Sequence, residues 1–490
     1  MIRPIPAIIG IAMIVTLSAC IGQQEPYKKN GQVKRSGVNV SNLYNDTCAK
    51  CHGTNGEGGG GGTKSLLTVE KFDQKWDKPF FEATRKGVPE AGMDGYAETM
   101  SDEEIWALIV HIRELQNKAI RGITAPKPVN SVYSSQHYKY RVETVLAENR
   151  DRKTPWSMDW LPDGKMLVNF RPGIMSVVEN GQVLGNVEGL PESTELGQGG
   201  LMEVAVHPDY RKNGWIYISI SDPKNGDRRN SFTKIVRGKL KFEGSTTTWM
   251  DDKVIFKTSD DNYTGAGVHF GGKIVFDGKG HIFFSTGDRG NGPMAQRLDK
   301  PNGKIFRLNE DGTIPSDNPF VKTAGALPSI WTYGQRNPQG LAMDANGDLW
   351  DTEHAPRGGD EVNHITKGSN YGWPEISYGI NYNDSSASVP WPSPNQNMKM
   401  SVYRWLPSTG ASGLKIGKGK AFTKWNGDLI AGGLAGQNVD RIRIKNDKVV
   451  EMETLVFGIG RVRDLAFGPD GYLYVALNGP DRIVRLVPVK

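Results

Sequence analysis

The chain has 490 residues, of which 23% are charged and 9% aromatic, so it can build a sizeable core and is neither disordered nor a coiled coil. Its 60 glycines suit a turn-rich β protein, while Gly and Pro together stay below the share of about 25–30% that marks low-complexity chains. The formal charge of +6 is small for this length and no long basic run occurs, so we expect no nucleic-acid partner.

Residues 1–19 have the layout of an export signal. Arg3 precedes an apolar run, 8–17, that is too short to span a bilayer as a mature helix. The run ends in Leu17-Ser18-Ala19-Cys20, which resembles a bacterial lipobox and implies cleavage before Cys20 and lipidation of its thiol. The alternative is an ordinary signal peptide that happens to end near a cysteine.

The lipobox resemblance also implies a location. Ile21 rather than Asp follows Cys20, which in Gram-negative families implies release to the outer membrane. We therefore expect a lipid-anchored protein on the periplasmic side of a bacterial membrane, with residues 20–37 as a polar tether.

The other two cysteines lie in the segment Cys48-Ala49-Lys50-Cys51-His52. Two close cysteines in an exported chain could form a disulfide, but the histidine that follows makes the segment a C-x-x-C-H motif, which attaches c-type haem. In this motif both thiols bond the haem vinyl groups and the adjacent imidazole reaches the iron. We therefore expect haem c on Cys48 and Cys51, with His52 as an iron ligand.

The second iron ligand should lie downstream, where Met93 stands in a glycine-flanked loop and Met100 stands just before a predicted helix. Ser101 and Glu104 have capping-box spacing at the start of this helix. An apolar stripe of helical period follows: Ile105, Leu108, Ile109, Ile112 and Leu115. The layout resembles the end of a small class I cytochrome c, although Asp94 stands where that family has proline. This resemblance implies that Met93 is the ligand, and it leaves Met100 to core packing.

The predicted cytochrome c domain, residues 38–118, is all α-helical. Residues 119–140 show no periodicity and are predicted to be a linker. From 141 to 490 the pattern changes to short apolar strands separated by Gly, Asp and Pro turns. Two such strands around a turn recur six times, at 157–170, 203–219, 273–287, 340–353, 420–433 and 464–477. Radial repetition of hairpins makes a β-propeller, so we predict an all-β six-bladed propeller, with a sandwich as the alternative.

Seven segments of this second domain form a further pattern: 196–201, 269–273, 285–290, 334–341, 353–361, 370–374 and 461–464. These segments resemble those of the soluble quinoprotein sugar dehydrogenases, which use pyrroloquinoline quinone (PQQ), and the aldose sugar dehydrogenase branch most of all. Their order and spacing carry the resemblance, which covers about Val142 to Val487. It implies an enzyme that oxidises the hemiacetal of an aldose to a lactone. Sorbosone-type aldehydes and other sugar hemiacetals stay open as substrates.

That oxidation removes a proton from the C1 hydroxyl and a hydride from C1. Histidine is the usual base for the proton, and His269 matches the family's catalytic base, while Asp288 matches the carboxylate that orients it. A hydride needs a cofactor as acceptor. The resemblance places Arg336 near the reacting carbonyl, where it would stabilise negative charge. It also implies that PQQ is bound by Gln198, Arg336, Asn337, Gln339, Arg461 and Arg463.

Calcium is the third cofactor that the resemblance implies. It would polarise the quinone as a Lewis acid, held by the backbone carbonyls of Ala355 and Pro356. Glu361 and Tyr371 match positions around a second, structural calcium.

Three positions depart from the family pattern. They are Ala435, where the glucose enzymes have a PQQ-contacting lysine, His354, which replaces glutamine as in the aldose branch, and Ala355, where glycine is usual. The alanine at 435 puts the details of carboxylate binding in doubt.

Taken together, these features indicate a quinohaemoprotein dehydrogenase whose electrons pass through its own haem to an external acceptor. The rival from another class is a non-catalytic propeller that binds a sugar or a protein and is tethered to an electron-transfer cytochrome. A calcium-dependent propeller lactonase is a second rival. It would need a nest of acidic metal ligands at the central channel, which the matched segments do not supply.

Overall fold

The structure, a computed structural model, describes residues 39–382 and 397–489 and the backbone of two short paired strands, β1 (Tyr27–Lys29) and β2 (Gln32–Lys34). The predicted signal and the predicted lipidation site Cys20 lie outside the described residues. No helix in the described ranges combines the length and apolar character needed to cross a membrane.

Four helices form the first folded part of the chain. They are α1 (Val40–Thr47), α2 (Ala49–His52), α3 (Asp77–Lys86) and α4 (Asp102–Thr124). The predicted capping box at the start of α4 is confirmed, because the Ser101 hydroxyl accepts the Glu104 N–H at 3.2 Å and the Glu104 carboxylate accepts the Ser101 N–H at 2.9 Å. The predicted stripe of α4 packs into the core of this part together with Tyr44 and Phe81.

Helix α4 runs to Thr124, past residue 118, into residues predicted to be linker. The apolar period continues at Ile120, which is buried. The predicted boundary at residue 118 falls short of the helix end because three polar residues, Gln116, Asn117 and Lys118, follow Leu115 in the sequence. Two strands then follow, β3 (Val132–Ser134) and β4 (Lys139–Leu146).

The remaining strands belong to sheets of antiparallel meanders. The largest sheet contains β5 (Pro155–Trp160), β6 (Met166–Phe170), β7 (Ile174–Glu179), β8 (Gln182–Glu188), β9 (Leu201–Val206), β10 (Ile216–Lys224), β11 (Asp227–Glu243) and β12 (Thr246–Phe256), with α5 (Tyr210–Asn213) between β9 and β10. Its two halves, β5–β8 and β9–β12, are joined where β8 runs parallel to β12, with Val187 paired with Thr247.

Three sheets of four strands follow along the chain. The first contains β13 (Ile274–Phe276), β14 (His281–Thr286), β15 (Lys304–Asn309) and β16 (Ile330–Tyr333). The second contains β17 (Pro338–Met343), β18 (Leu349–Glu353), β19 (Asp360–Ile365) and β20 (Tyr403–Trp405). The third contains β21 (Ala411–Ile416), β22 (Leu429–Gly433), β23 (Asn438–Lys445) and β24 (Lys448–Phe457).

The last sheet closes the domain. It contains β25 (Arg461–Phe467), β26 (Leu473–Asn478) and β27 (Arg482–Pro488), and β27 pairs with β4 from the start of the domain, for example at Leu486 and Val142. Pairing the last strand with the first leaves fewer unpaired edges. The first strands of successive meanders contact one another in a ring, β5, β9, β13, β17, β21, β25 and back to β5.

The predicted all-β fold with a small α-helical N-terminal domain is confirmed. The count of six blades stays a prediction, because two meanders share one eight-stranded sheet. Five of the six predicted hairpins coincide with paired strands, but the one at 420–433 is wrong. Its first strand is β21, which pairs with β22 at Ala411 and Gly433, and Thr423–Trp425 forms a 3₁₀ turn. Phe422 and Trp425 stack there at 4.2 Å as core residues, which explains the misleading apolar run.

Candidate functional site

The β13–β14 hairpin brings His269 and Asp288 together. His269 lies just before β13 and Asp288 just after β14. Because the two strands are antiparallel, both residues lie at the same end of this hairpin. The Nδ1 atom of His269 lies 2.6 Å from the Oδ1 atom of Asp288. His269 takes a positive φ of 52°, a conformation that is uncommon for a residue with a Cβ and that clusters at functional sites.

Asp288 is held from several directions. Its Oδ2 accepts the indole N–H of Trp373 at 2.7 Å, and its Oδ1 accepts the backbone N–H of Gly290 at 2.7 Å. Burial alone would raise its pKa, but the hydrogen bond from His269 and the charges of His269 and Arg336 outweigh burial and lower the pKa. The carboxylate is therefore ionised and fixed in orientation.

Burial lowers the pKa of His269, and the nearby Arg336 guanidinium adds to this, although the contact with Asp288 opposes it. The imidazole is therefore neutral at neutral pH. Since Asp288 accepts from Nδ1, the other ring nitrogen, Nε2, is left as the acceptor. A neutral, oriented imidazole has the properties of a general base.

Arg336 lies beside this pair. Its guanidinium donates to the backbone carbonyl of His354 at 2.6 Å and stands 5.4 Å from the centre of the Trp373 ring. Its backbone N–H donates to Glu353 at 2.5 Å, and its backbone carbonyl accepts the N–H of Asp288 at 2.8 Å. The Nε atom of Arg336 is buried and has no hydrogen-bond partner in the described part of the chain.

The predicted amide side chains make hydrogen bonds at or near the segment that carries His269. Gln198 accepts the backbone N–H of His269 at 2.9 Å. Asn337 accepts the backbone N–H of Gly271 at 3.1 Å and an amide N–H of Gln339 at 3.2 Å. Gln339 in turn accepts from Arg463 at 3.4 Å. Segments far apart in the chain therefore converge at one end of the ring of first strands.

Positive charge accumulates at this end. Burial lowers the pKa of Arg463, and so do the neighbouring charges of Arg461 and Arg171. The Arg463 guanidinium lies 4.0 Å from the centre of the Trp156 ring, and Arg461 is exposed at the start of β25. Guanidinium groups that repel one another in this way favour an anionic ligand with several carboxylates.

A buried ion network centred on Lys273 links three of the strands around the site. The Lys273 ammonium, four residues after His269, donates to Glu203 at 2.6 Å and to Asp464 at 2.9 Å. It thereby ties β13 to β9 and to β25, the strand that carries Arg463. The network explains why the site residues keep their relative positions.

The predicted catalytic calcium loop lies next to Arg336. Ala355 is buried and its N–H donates to Asp360 at 2.9 Å. In the described ranges no hydrogen-bond donor reaches the carbonyl oxygens of Ala355 and Pro356. These two carbonyls are therefore free to bind a cation, as hard oxygen donors do for calcium.

The predicted second calcium position lies where β18 pairs with β19. Glu361 stands opposite Glu353 in the register, and Asp351 lies two residues earlier on the face of Glu353. Burial raises the pKa of Glu361 to about 7, and burial holds the pKa of Asp351 and Glu353 well above their usual range. Both carboxylate oxygens of Asp351 lack a hydrogen-bond partner in the described residues.

This region has unused acceptors rather than a complete cage. Among the described residues no three His, Cys, Asp or Glu side chains are grouped as a metal site. The Tyr371 hydroxyl is already used, since it donates to the His364 carbonyl at 2.6 Å and accepts the Thr366 N–H at 2.8 Å. A cation here would therefore draw its side-chain oxygens from Asp351, Glu353 and Glu361 rather than from the Tyr371 hydroxyl.

In the helical domain the C-x-x-C-H motif spans the junction of α1 and α2. Cys48 and Cys51 are free, half-buried thiols, and burial together with Cys51 raises the pKa of Cys48 to about 11. The Nδ1 atom of His52 is buried without a partner in the described chain. The Tyr44 hydroxyl donates to the Gly53 carbonyl at 2.9 Å and fixes the end of α2. Two accessible thiols and an imidazole on one short helix fit haem attachment.

The two candidate methionines differ in environment. Met93 is half-buried in a tight loop closed by reciprocal backbone hydrogen bonds with Val88, at 2.8 and 3.2 Å. Met100 is buried in the core of the helical domain.

The sequence analysis assigned no role to several residues that the structure places at the site. They are Trp156, Arg171, Glu353 and Trp373. Trp373 and Glu353 lie inside segments that carry the family resemblance, so the sequence could have identified them as candidate site residues. Trp156 and Arg171 lie outside those segments, and only the convergence of strands reveals them.

Comparison with known proteins agrees with this arrangement. Residues 152–485 match the family model "Glucose / Sorbosone dehydrogenase", and residues 38–112 match "Cytochrome C oxidase, cbb3-type, subunit III". The chain is 39% identical over 335 residues to the aldose sugar dehydrogenase YliI of Escherichia coli (strain K12), covering 68% of this chain and 88% of that protein.

Solved structures give the same result. The apo-form of the soluble aldose sugar dehydrogenase from Escherichia coli superposes with a TM-score of 0.64 at 35% identity, covering 71% of this chain and all of that one (100%). The PQQ-bound form of an aldose sugar dehydrogenase from Streptomyces coelicolor superposes with a TM-score of 0.57 at 26% identity, covering 72% of this chain and 100% of that one. The chain therefore belongs to the glucose/sorbosone dehydrogenase family and carries an N-terminal cytochrome c domain.

Proposed function

We propose that this protein is a PQQ-dependent aldose dehydrogenase that oxidises a sugar hemiacetal to a lactone and passes the electrons through its own haem c to an external acceptor. The observation that carries the proposal is the His269–Asp288 pair, because the amides expected to bind PQQ hydrogen-bond the same short segment: Gln198 accepts the N–H of His269 and Asn337 accepts the N–H of Gly271. The relatives named as aldose sugar dehydrogenases support the substrate class.

In the proposed mechanism His269 is the base. Its Nε2 atom takes the proton of the C1 hydroxyl, while Asp288 holds the ring through Nδ1 and stabilises the imidazolium that forms. Arg336 stands beside the pair, where its guanidinium would stabilise developing negative charge. Bound PQQ would supply the hydride acceptor that protein side chains lack.

The residues present fit PQQ. Arg336, Arg461 and Arg463 would bind its carboxylates, with Gln198, Asn337 and Gln339 as hydrogen-bonding partners. Ala435 is exposed and adds no charge, so carboxylate binding would depend on these three arginines. Calcium bound by the carbonyls of Ala355 and Pro356 would polarise the quinone.

In the helical domain Cys48 and Cys51 would bind the haem covalently, and His52 and Met93 would hold its iron. Histidine and methionine ligation raises the reduction potential and favours electron transfer. Glu361 and the backbone at Tyr371 would hold a second, structural calcium. Lipidation of Cys20 would anchor the protein on the periplasmic side of the outer membrane.

The test is sugar-dependent reduction of the haem. Haem-loaded protein is given PQQ and calcium, then a panel of aldoses, and the absorption band of reduced haem is followed. Reduction that needs PQQ, calcium and sugar together is the expected result. If no sugar reduces the haem, direct PQQ titration separates two failures: tight binding would mean a wrong substrate class, and no binding would favour the non-catalytic propeller.

A further inference from the structure

The helical domain packs against the β domain through an interface of defined chemistry. Tyr378 and Ile380 from the β domain join the core of the helical domain, where they pack with the α4 side chains of Trp106 and Ile109. The indole N–H of Trp106 donates to the Tyr378 carbonyl at 3.1 Å, and both groups are buried.

Two ion pairs cross this interface, each between an acidic residue of the helical domain and an arginine of the β domain. The Arg357 guanidinium binds Glu114 of α4 through two hydrogen bonds, of 2.7 and 2.6 Å. Arg404 binds Asp77 of α3 at 2.7 Å, and Asp77 is also held by Arg113 at 2.6 Å. In both pairs the helical domain contributes the acid and the β domain the arginine.

The Glu114–Arg357 pair lies at the loop that would hold calcium. Arg357 directly follows Pro356, and its backbone exchanges hydrogen bonds with Ile380 at 3.0 and 2.8 Å. At the neighbouring Gly358 a Cβ would lie 3.2 Å from Val110 of α4, so α4 packs closely against this loop.

Glu114 also lies close to residues that contact the C-x-x-C-H segment, 48–52. Its carboxylate lies 3.6 Å from His111, and the His111 ring is 5.2 Å from the ring of Tyr44. The Tyr44 hydroxyl binds the carbonyl of Gly53, the residue after His52. Contacts therefore run without a gap from the predicted calcium loop to the end of the haem-binding helix.

We propose that the helical domain works docked on the β domain rather than as a tethered diffusing carrier, and that Glu114 and Arg357 are positioning residues that hold α4 on the loop 355–359 for internal electron transfer. The inference rests on the proposed function, because it needs electrons that enter the β domain from a sugar. Each hemiacetal oxidised yields two electrons and two protons. A single bound haem would accept one electron at a time, so an external one-electron acceptor must oxidise it after each transfer, and the two protons go to solvent.

The first test measures haem reduction in the first turnover, by rapid mixing of the loaded holoprotein with sugar. Glu114→Lys places an ammonium against Arg357, and we expect haem reduction to slow by at least about tenfold, since like charges across an interface repel each other. Sugar oxidation with a small dye that accepts electrons directly from the β domain should be unchanged, as should the haem spectrum and potential.

Matched variants complete this test. Glu98→Lys makes the same charge change at an exposed position of the helical domain and should leave the rate unchanged. Glu114→Asp keeps the charge and should recover most of the rate. The proposal is overturned if Glu114→Lys reduces its haem as fast as Glu98→Lys.

Small-angle scattering without sugar tests docking independently of activity. The double variant Glu114→Lys/Arg404→Glu places like charges in both pairs, and its maximum dimension should exceed that of the parent. An unchanged dimension would refute docking through these pairs. If the parent oxidises no sugar with the dye, the proposed function fails while the scattering result still decides the docking.

Discussion

The pair of His269 and Asp288 shows how a single residue acquires its chemistry from its surroundings. Burial and Arg336 keep the imidazole neutral, and the Asp288 carboxylate, fixed by Trp373 and Gly290, sets its orientation. An exposed histidine would be partly protonated near neutral pH and free to rotate. The environment thus sets both the protonation state and the orientation of the imidazole that we propose as the base.

The first prediction concerns His269. His269→Ala should lower the turnover of dye-linked sugar oxidation by about 100- to 10,000-fold, the usual contribution of a general base, while PQQ binding persists. His137→Ala, a change at a half-buried histidine outside the site, is the control and should keep full activity. Equal turnover in both variants would remove His269 as the base.

The pH dependence follows from the same environment. Because burial holds the pKa of His269 below its ordinary value near 6.5, kcat/KM should rise with pH through a pKa below that value and level off by neutral pH. Asp288→Asn removes the contact that raises this pKa, so the acidic limb should move to lower pH while the plateau falls. A limb that moves to higher pH would contradict the assignment of roles.

At the scale of elements, the loop between α3 and α4 gives the two candidate methionine ligands different environments. The loop is tight: a Cβ on Gly87, which has a φ of 78°, would lie 2.6 Å from the backbone N of Gly95. This turn keeps Met93 out of the core, whereas Met100 packs inside it.

Alanine variants of Met93 and Met100 should therefore affect different properties, the haem in one case and the stability of the domain in the other. Met93→Ala should change the spectrum of oxidised haem and lower its reduction potential. Met100→Ala should keep the spectrum but destabilise the domain by about 2–5 kcal/mol, as removal of a buried methionine side chain does. Spectroscopy and thermal melting of both variants check this, and an exchange of the two outcomes would reverse the ligand assignment.

Strands β18 and β19 carry the carboxyl groups of Asp351, Glu353 and Glu361, and burial raises the pKa of all three. A cation bound between them would offset the free-energy cost of ionising them. Calcium at about 100 times its Kd would stabilise the fold by about 2.7 kcal/mol. We expect a chelator to lower the Tm of the PQQ-free protein and added calcium to restore it. Glu361→Gln should shrink this calcium-dependent shift, whereas Glu375→Gln, at an exposed position, should not. An undiminished shift in Glu361→Gln would argue against a calcium at this position.

At the scale of the whole molecule, a sugar-dehydrogenase domain and a cytochrome c domain are joined in one chain, and they share an interface that contains apolar, hydrogen-bonded and ionic contacts. The helix α4 serves both parts, because its residues pack in the helical core and also contact the β domain. Electrons from the proposed reaction would then have a fixed acceptor.

The proposed anchor makes a prediction at this scale. Cys20→Ser should move the protein from the membrane fraction to the soluble periplasmic fraction, because the thiol that takes the lipid is lost. Fractionation followed by haem staining measures this. Continued membrane association of the variant would contradict lipidation at Cys20.

Features set by neighbouring residues could be predicted from the sequence. The C-x-x-C-H spacing, the capping box of Ser101 and five of the six hairpins depend on contacts within a few residues, and such contacts leave a pattern along the chain. The hairpin at 420–433 was misplaced because Phe422 and Trp425 are apolar for tertiary packing, and not because they lie in a strand.

The site and the interface depend on residues that are far apart in the chain. The family resemblance named Gln198, His269 and Arg463, but only the ring of strands and the Lys273 network bring their segments to one end of the domain. The pair of Glu114 and Arg357 has no local signature, since an acidic residue on the polar face of a helix looks the same in the sequence whether or not it has a partner. Periodicity reports which face of an element is apolar, whereas the identity of what covers that face is decided by tertiary packing.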